Sequence, residues 1–469
     1  MKRSFVLLAA LMATQFLYAQ DTLSLGRAID LGLKSNFDVQ IEGLNAEIAK
    51  QNNTWGVAGA LPTINLTINQ NNNIVHRKPA NPFAVAGRNI SDNVNGQLDV
   101  QFLLFNGFAV RFNKQRLDQL ERLSSGTATF VIETTVQSIL LAYYQALLEK
   151  ERVQVRKKNL TYSKERFEYV KLRKELGGAI TFDVLQEQNN YLTDSSNVLL
   201  QEIAYRNALR NLNLLLNENL NRTFDLTDSL TYADESYDFE TLRMKLTSSN
   251  TNLRNQFINQ ELARVNTRGA MSQRAPIVTL SIGANGSLDQ LNAQFRPTSD
   301  GVVEKSTVGY LNDDPSQPVI ATRFAPEYQT QRGNSYGAYG NIGLRWTLFN
   351  GGQVKRAIDN AQIQEKIAQL TTDQLKQSLE NDLIAAYDMY NLRRQLVVIA
   401  RTKLSAAELN LSLANERYRN GSISAIDLRI IQENFLNAAL ENFLAIYDVL
   451  ASKADLIRLT GGMIAEPSR

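Results

Sequence analysis

Cysteine is absent from this 469-residue chain. That excludes disulfides, thiolate metal sites and a lipid anchor on an N-terminal cysteine. Histidine occurs once, as His76 in a polar stretch, which removes most acid–base enzyme designs. Neither sign of charge dominates: 50 basic residues face 47 acidic ones. The formal charge of +3 falls to +1 without Lys2 and Arg3, so nucleic acid is not an expected partner. Past the N-terminal segment no run of about 20 apolar residues exists, so any membrane crossing would have to use strands. No nucleotide loop, metal cluster or nucleophile elbow appears, and no cofactor or catalysis is expected.

The first residues read as a secretory signal. Lys2 and Arg3 precede a largely apolar core, Phe5 to Leu17, and Tyr18-Ala19 offers a cleavage site. Cleavage after residue 19 of 469 leaves 450 residues, enough for a large core.

What the chain does contain is a duplication. Leu104-Phe105-Asn106-Gly107 recurs 244 residues later as Leu348-Phe349-Asn350-Gly351, and Gly177 with Asp183 recurs as Gly421 with Asp427. Leu61-Pro62 is echoed by Ala275-Pro276. The expected layout is a signal over 1–19, a first repeat over 20–230, a second over 231–461 and a tail over 462–469. The first repeat has strands near 62–70 and 94–104 and helices over 107–176 and 181–216. The second has strands near 276–286 and 337–348 and helices over 351–420 and 424–459.

The strand segments alternate. Ile64, Leu66 and Ile68 oppose Thr63, Asn65, Thr67 and Asn69; Leu98, Val100 and Phe102 oppose Gln97, Asp99 and Gln101. Leu280 and Ile282 oppose Thr279 and Ser281; Ile342, Leu344 and Trp346 oppose Asn341, Gly343 and Arg345. Period two suits a soluble sandwich or a membrane barrel. Asp99 and Arg345 would be costly in a dry core but tolerable in a wet lumen. Gln70 to Asn93 and Asp289 to Ser335 read as polar loops. Four strands cannot close a barrel in lipid, so a membrane role demands several copies, and three would give twelve strands.

The segments 107–177 and 351–421 contain no proline and read as helices of about 70 residues, roughly 105 Å each. Leu436, Leu440, Phe443, Tyr447, Leu450, Ala454 and Ile457 form a heptad seam, and Leu185, Leu192 and Leu199 keep the seven-residue spacing. Core packing is the plain explanation for both stripes. A helix over about Asn36 to Gly59 and the returning helix together nearly match the long helix, so two short helices stacked end to end fit beside one long one. Asn217 to Asp238 shows no periodicity and reads as the link between halves.

Taken together, these features resemble the TolC family of outer-membrane efflux channels. The matching residues are Leu25-Gly26-Arg27-Ala28-Ile29 then Asn36, and Leu242 to Leu246 then Asn250. The strand-leading Pro62 and Pro276, the two Leu-Phe-Asn-Gly segments, and the turns Gly177 to Leu185 and Gly421 to Leu428 complete the set.

The resemblance implies a homotrimer: a twelve-stranded barrel, four strands per chain, in the outer-membrane lipid, continued by a long helical coiled-coil tunnel through the periplasm. It implies a passive exit channel of a tripartite efflux or type I secretion system. A periplasmic adaptor protein and an inner-membrane RND or ABC pump would be its partners, and small molecules its cargo. Gly177, Gly178, Thr181, Gly421 and Ser424 would form the periplasmic tips. Asp183 and Asp427 would either complement their helix ends or line an acidic entrance, with Ser424 or Thr181 as a cap.

The chain departs from the family pattern in two places. Ile423 and Ser424 stand where some members carry a linking basic residue, for which Arg173, Arg417, Arg419 and Arg429 are nearby substitutes. Ile430 and Ile431 stand where members often carry acids. A surface coiled-coil or adhesin protein, and an export channel for proteins or metal ions, are the alternatives.

Overall fold

The computed structural model describes residues 22–78, 80 and 85–463. The expected signal, Pro79, residues 81–84 and residues 464–469 of the expected tail lie outside them. The chain divides into two compact units, and these cut across the sequence repeats: each draws on both halves.

The helical unit comprises residues 22–52, 118–264 and 363–463. In chain order it contains strand β1 (Thr22–Leu23), helices α1 (Leu25–Ser35) and α2 (Phe37–Asn52), and most of α3 (Ala109–Glu175). Next come α4 (Thr181–Leu215), strand β4 (Asp225–Leu226), α5 (Phe239–Ser249) and the first part of α6 (Thr251–Ser272). It ends with most of α7 (Gln353–Arg419) and α8 (Ala425–Leu459). Helices α3 and α7 are 67 residues each and α4 and α8 are 35 each. Unbroken backbone hydrogen bonding without proline permits such length.

The stacking of short helices has a specific joint. Asn36 accepts from the backbone N–H of Asp38 (2.9 Å) while its amide donates to the carbonyl of Leu215 (3.0 Å), at the end of α4. Asn250 does the same in the second repeat, accepting from Leu253 N–H (2.8 Å) and donating to Leu459 O (2.9 Å), at the end of α8. One asparagine therefore caps the start of one helix and takes a free carbonyl from the end of another. Helix α2 stops at Asn52 rather than running to Gly59, because Thr54 to Ala60 folds into successive turns.

The segment Asn217 to Asp238 is not featureless. Its β4 pairs in parallel with β1, and the Asp228 carboxylate accepts from Leu25 N–H and the Tyr143 hydroxyl. Around this pair lies the main core, with Leu23, Ile139, Tyr143, Leu212, Leu383 and Tyr390 almost fully buried.

The stripe on α4 corrects the sequence reading. Leu185, Leu192 and Leu199 are 54%, 52% and 62% exposed, while Glu187, Asp194 and Gln201 are buried. Both sets have heptad spacing, and the polar one faces inward because α3 and α8 supply its hydrogen-bonding partners. In α8 the most buried stripe, including Gln432, Ala439, Asn442, Ile446 and Val449, lies one position before the predicted seam.

The sheet unit comprises residues 53–117 and 265–362. Its main sheet has strands β2 (Thr63–Arg77), β3 (Gly87–Phe105), β5 (Ile277–Phe295) and β8 (Glu327–Arg345), all antiparallel in the order β2-β3-β5-β8. A separate hairpin pairs β6 (Val303–Tyr310) with β7 (Pro318–Phe324).

The strands run well past their predicted ends, through much of what reads as loop in sequence. Gln70 to Arg77 pairs with Gly87 to Val94, and Asp289 to Phe295 pairs with Glu327 to Gly333. These extensions are mostly polar, with runs such as Asn71 to Asn73 and Ser91 to Asn93 polar on both faces, so no sustained alternation betrays them, but the backbone ladder continues.

Register fixes the two faces. Ile64, Leu66, Val100, Ile282, Leu98, Ala284, Ala338 and Tyr336 share one face in cross-strand rows. That face is apolar over about ten residues from the Pro62 and Pro276 end, the length of a tilted membrane strand. The other face carries Thr, Asn, Gln and Ser.

Candidate functional site

Both helix turns are built from glycine for a stereochemical reason. Gly177 and Gly421 have φ of 78° and 72°, in the left-handed region. Gly177 N–H bonds Lys174 O (3.0 Å) and Gly178 N–H bonds Arg173 O (2.7 Å); Gly421 N–H bonds Tyr418 O (3.0 Å) and Ser422 N–H bonds Arg417 O (2.8 Å). Each is a Schellman closure that satisfies the last carbonyls of a 67-residue helix. Arg173 also donates to Gly178 O at 2.7 Å.

The returning helices start differently. Ser424 is the N-cap of α8: its hydroxyl accepts from Asp427 N–H (3.1 Å), and Asp427 accepts from Ser424 N–H (3.2 Å). This is a reciprocal capping box. Thr181 does not cap α4; it is the first helical residue, and the N-cap is Ile180, which has no side-chain oxygen. Asp183 still accepts from Ile180 N–H (3.2 Å), so half the box remains. Both aspartates are exposed and close to a helix dipole.

A difference in response follows. Ser424→Ala should lower local stability by about 1 kcal/mol, and Ile180→Ser should raise it by a similar amount. Hydrogen exchange at residues 181–184 and 425–428 would register protection lost in the first variant and gained in the second.

Behind the turns lies a buried polar array absent from the sequence reading. Arg166 on α3 donates through Nε to Glu187 on α4 at 2.8 Å, both side chains 4% exposed, and through Nη1 to Gln432 on α8. Arg429 on α8 grips Asp194 on α4 with two bonds, Nη1 to Oδ2 at 2.5 Å and Nη2 to Oδ1 at 3.0 Å. Ser163 on α3 donates to the same carboxylate. Burial would pull the Arg429 guanidinium down, but its bonds to Asp194 and the charges of Asp194 and Glu433 outweigh burial and hold it up.

Of the four substitutes named for a linking base, Arg429 thus joins the second repeat to the first. The signal for the array was present: Glu187, Asp194 and Gln201 are seven residues apart. The leucines beside them, equally spaced, masked it.

In the sheet unit Asp99 and Arg345 share the polar face, but six residues of β8 separate Arg345 from Tyr339, which lies in the row of Asp99. Asp99 instead accepts from the Tyr339 hydroxyl at 2.5 Å, which in turn accepts from Gln97 at 2.8 Å. The tyrosine crosses Gly283, where a side chain would collide with its ring. Among the described residues no cluster of three or more metal-ligating side chains exists. No described helix is long and apolar enough to cross a membrane.

Residues 242–462 match the outer membrane efflux protein family. The chain carries that family's signature over its second half. It is therefore an outer-membrane efflux channel protein, and not an enzyme. No curated protein sequence matches the chain.

Solved structures share the fold. The Campylobacter jejuni CmeC outer membrane channel superposes with a TM-score of 0.69 at 15% identity, over 93% of this chain and 85% of that one. Vibrio cholerae VceC gives 0.68 at 14% identity, over 93% and 96%. The open state of the Neisseria gonorrhoeae MtrE outer membrane channel gives 0.64 at 16%, over 94% and 89%.

Proposed function

We propose that this efflux protein works as a homotrimer, a passive exit duct through the outer membrane that extends into the periplasm. There it receives small molecules from an inner-membrane RND or ABC pump through a periplasmic adaptor. The observation that carries this is that neither unit is finished within one chain. In the sheet unit, β2 and β8 are edge strands with unpaired backbone groups beside an exposed apolar face. Open edges are not stable in lipid. In the helical unit, α2 has no buried residue, and Phe37, Ile41, Leu44 and Ile48 stand exposed at heptad spacing. The leucine stripe of α4 is exposed likewise. Three copies joined edge to edge give twelve strands and cover these seams.

The turns around Gly177, Gly178 and Thr181, and around Gly421 and Ser424, are the periplasmic tips that meet the adaptor. Asp183 and Asp427 repeat threefold at the entrance. Asp99 and Arg345 face the lumen.

The mass of the chain extracted from outer membranes in detergent tests the assembly, with three copies expected and a single copy overturning it. Tip variants such as Gly421→Pro should abolish adaptor co-purification and export while the trimer persists. Export that survives them would remove the docking assignment.

A further inference from the structure

The segments that join the sheet to its helices carry a one-sided charge. They are residues 53–62, 106–117, 265–276 and 346–362, all within the sheet unit. Together they hold seven basic residues and one acid, Asp359. The chain as a whole is only +3, so everything outside this collar is net negative. Arg111, Arg116, Arg268, Arg274, Lys355 and Arg356 are exposed. Among the described residues none of these six forms an ion pair. The seventh, Lys114, donates to Asn53 (2.8 Å) and lies 5.9 Å from the Trp55 ring centre.

Bulky aromatic groups stand among these charges. Trp55, Phe108, Trp346 and Phe349 are each more than half exposed. They include both tryptophans of the chain. Trp346 follows Leu344 at strand spacing, on the apolar face of the sheet. Aromatic side chains of this kind settle at the boundary between hydrocarbon and headgroups. The collar lies at the Pro62 and Pro276 end, where the apolar face begins. Helices α3 and α7 both start here, so the positive ends of two 67-residue helices share its level.

We propose that this collar binds the phosphate groups of anionic phospholipids, in the leaflet on the side from which the helices leave. This rests on the duct reading above, which seats the apolar face in lipid and makes that leaflet the periplasmic one. The headgroup layer on each side of a bilayer is about 5–8 Å deep, within reach of long side chains one or two helical turns below the strand ends. Five of the seven bases are arginine, whose planar fork matches a phosphate with paired hydrogen bonds. Each neighbouring copy brings the same collar, so assembly multiplies the charge. An anionic leaflet is the surface that offsets it.

The two tryptophans report the outcome. The full chain is reconstituted in phosphatidylcholine mixed with phosphatidylglycerol, with bromine on the acyl chains of one lipid or the other. Bromine quenches tryptophan on contact, so quenching shows which lipid touches the collar. Phosphatidylglycerol should be favoured about fivefold, the effect of one basic residue near an anionic surface. The preference should vanish in about 1 M salt, where charges are screened within about 3 Å. Arg111→Gln with Lys355→Gln and Arg356→Gln should lower it about twofold or more, whereas Arg111→Lys with Arg356→Lys should keep most of it. Equal quenching by the two brominated lipids, or a preference that survives high salt or the glutamine variant unchanged, overturns the lipid assignment and leaves the collar to an acidic protein surface. If neither brominated lipid quenches the assembled wild type, the duct reading falls and the collar's lipid with it.

Discussion

Gly107→Ala should cost about 3 kcal/mol more than Gly351→Ala, although the two glycines end the same Leu-Phe-Asn-Gly segment and share a left-handed backbone. Their φ angles are 67° and 66°, so any side chain suffers the same backbone penalty of about 1–2 kcal/mol at either position. The surroundings differ. A Cβ on Gly107 would lie 2.5 Å from Ser272 O and 2.5 Å from Ala275 Cβ, whereas one on Gly351 meets nothing within 4 Å. Neither a backbone carbonyl nor a Cβ can swing away, so the overlap must be relieved by moving the α6 end. Thermal melting of the two variants side by side, followed by far-ultraviolet circular dichroism, measures the difference. Equal losses would mean that the α6 end yields freely.

Arg166→Ala should cost about 3–5 kcal/mol, because it leaves Glu187 charged and buried without its partner. Glu187→Leu should be comparably harmful for the converse reason. The combined Arg166→Met, Glu187→Leu variant should lie closer to wild type than either single change, since it removes both desolvated charges together. The same melting measurement reports it. Additive losses would show that the pair contributes through something other than mutual neutralisation. Arg166 also holds Gln432, so the double variant is not expected to match wild type fully.

How much of this was legible depends on whether a segment meets one environment or two. The long helices could be read because proline is missing and apolar spacing persists over many turns. The start of each strand could be read because one face is apolar and the other polar. The far halves of the strands could not: Asn71, Asn72 and Asn73, or Ser91, Asp92 and Asn93, are polar on both faces, and pattern carries no information where both sides are wet. Helix α4 failed for the opposite reason. It carries two heptad stripes, and the leucine stripe looks like a core until Arg166, Ser163 and Arg429 are seen to need the acidic one. The capping of α4 by Ile180 was hidden because Thr181, the better capping residue, stands one position too late.

The joints at Asn36 and Asn250 act as a gauge on growth. Each fixes where a returning helix must stop. An insertion into α3 alone would slide the end of α4 away from Asn36, and one into α4 alone would drive past it. Tolerated changes of length must come as matched additions to both arms of a hairpin. They must come in sevens to preserve which stripe faces inward, and in both repeats together. A shaft built this way keeps its reach or changes it in whole increments.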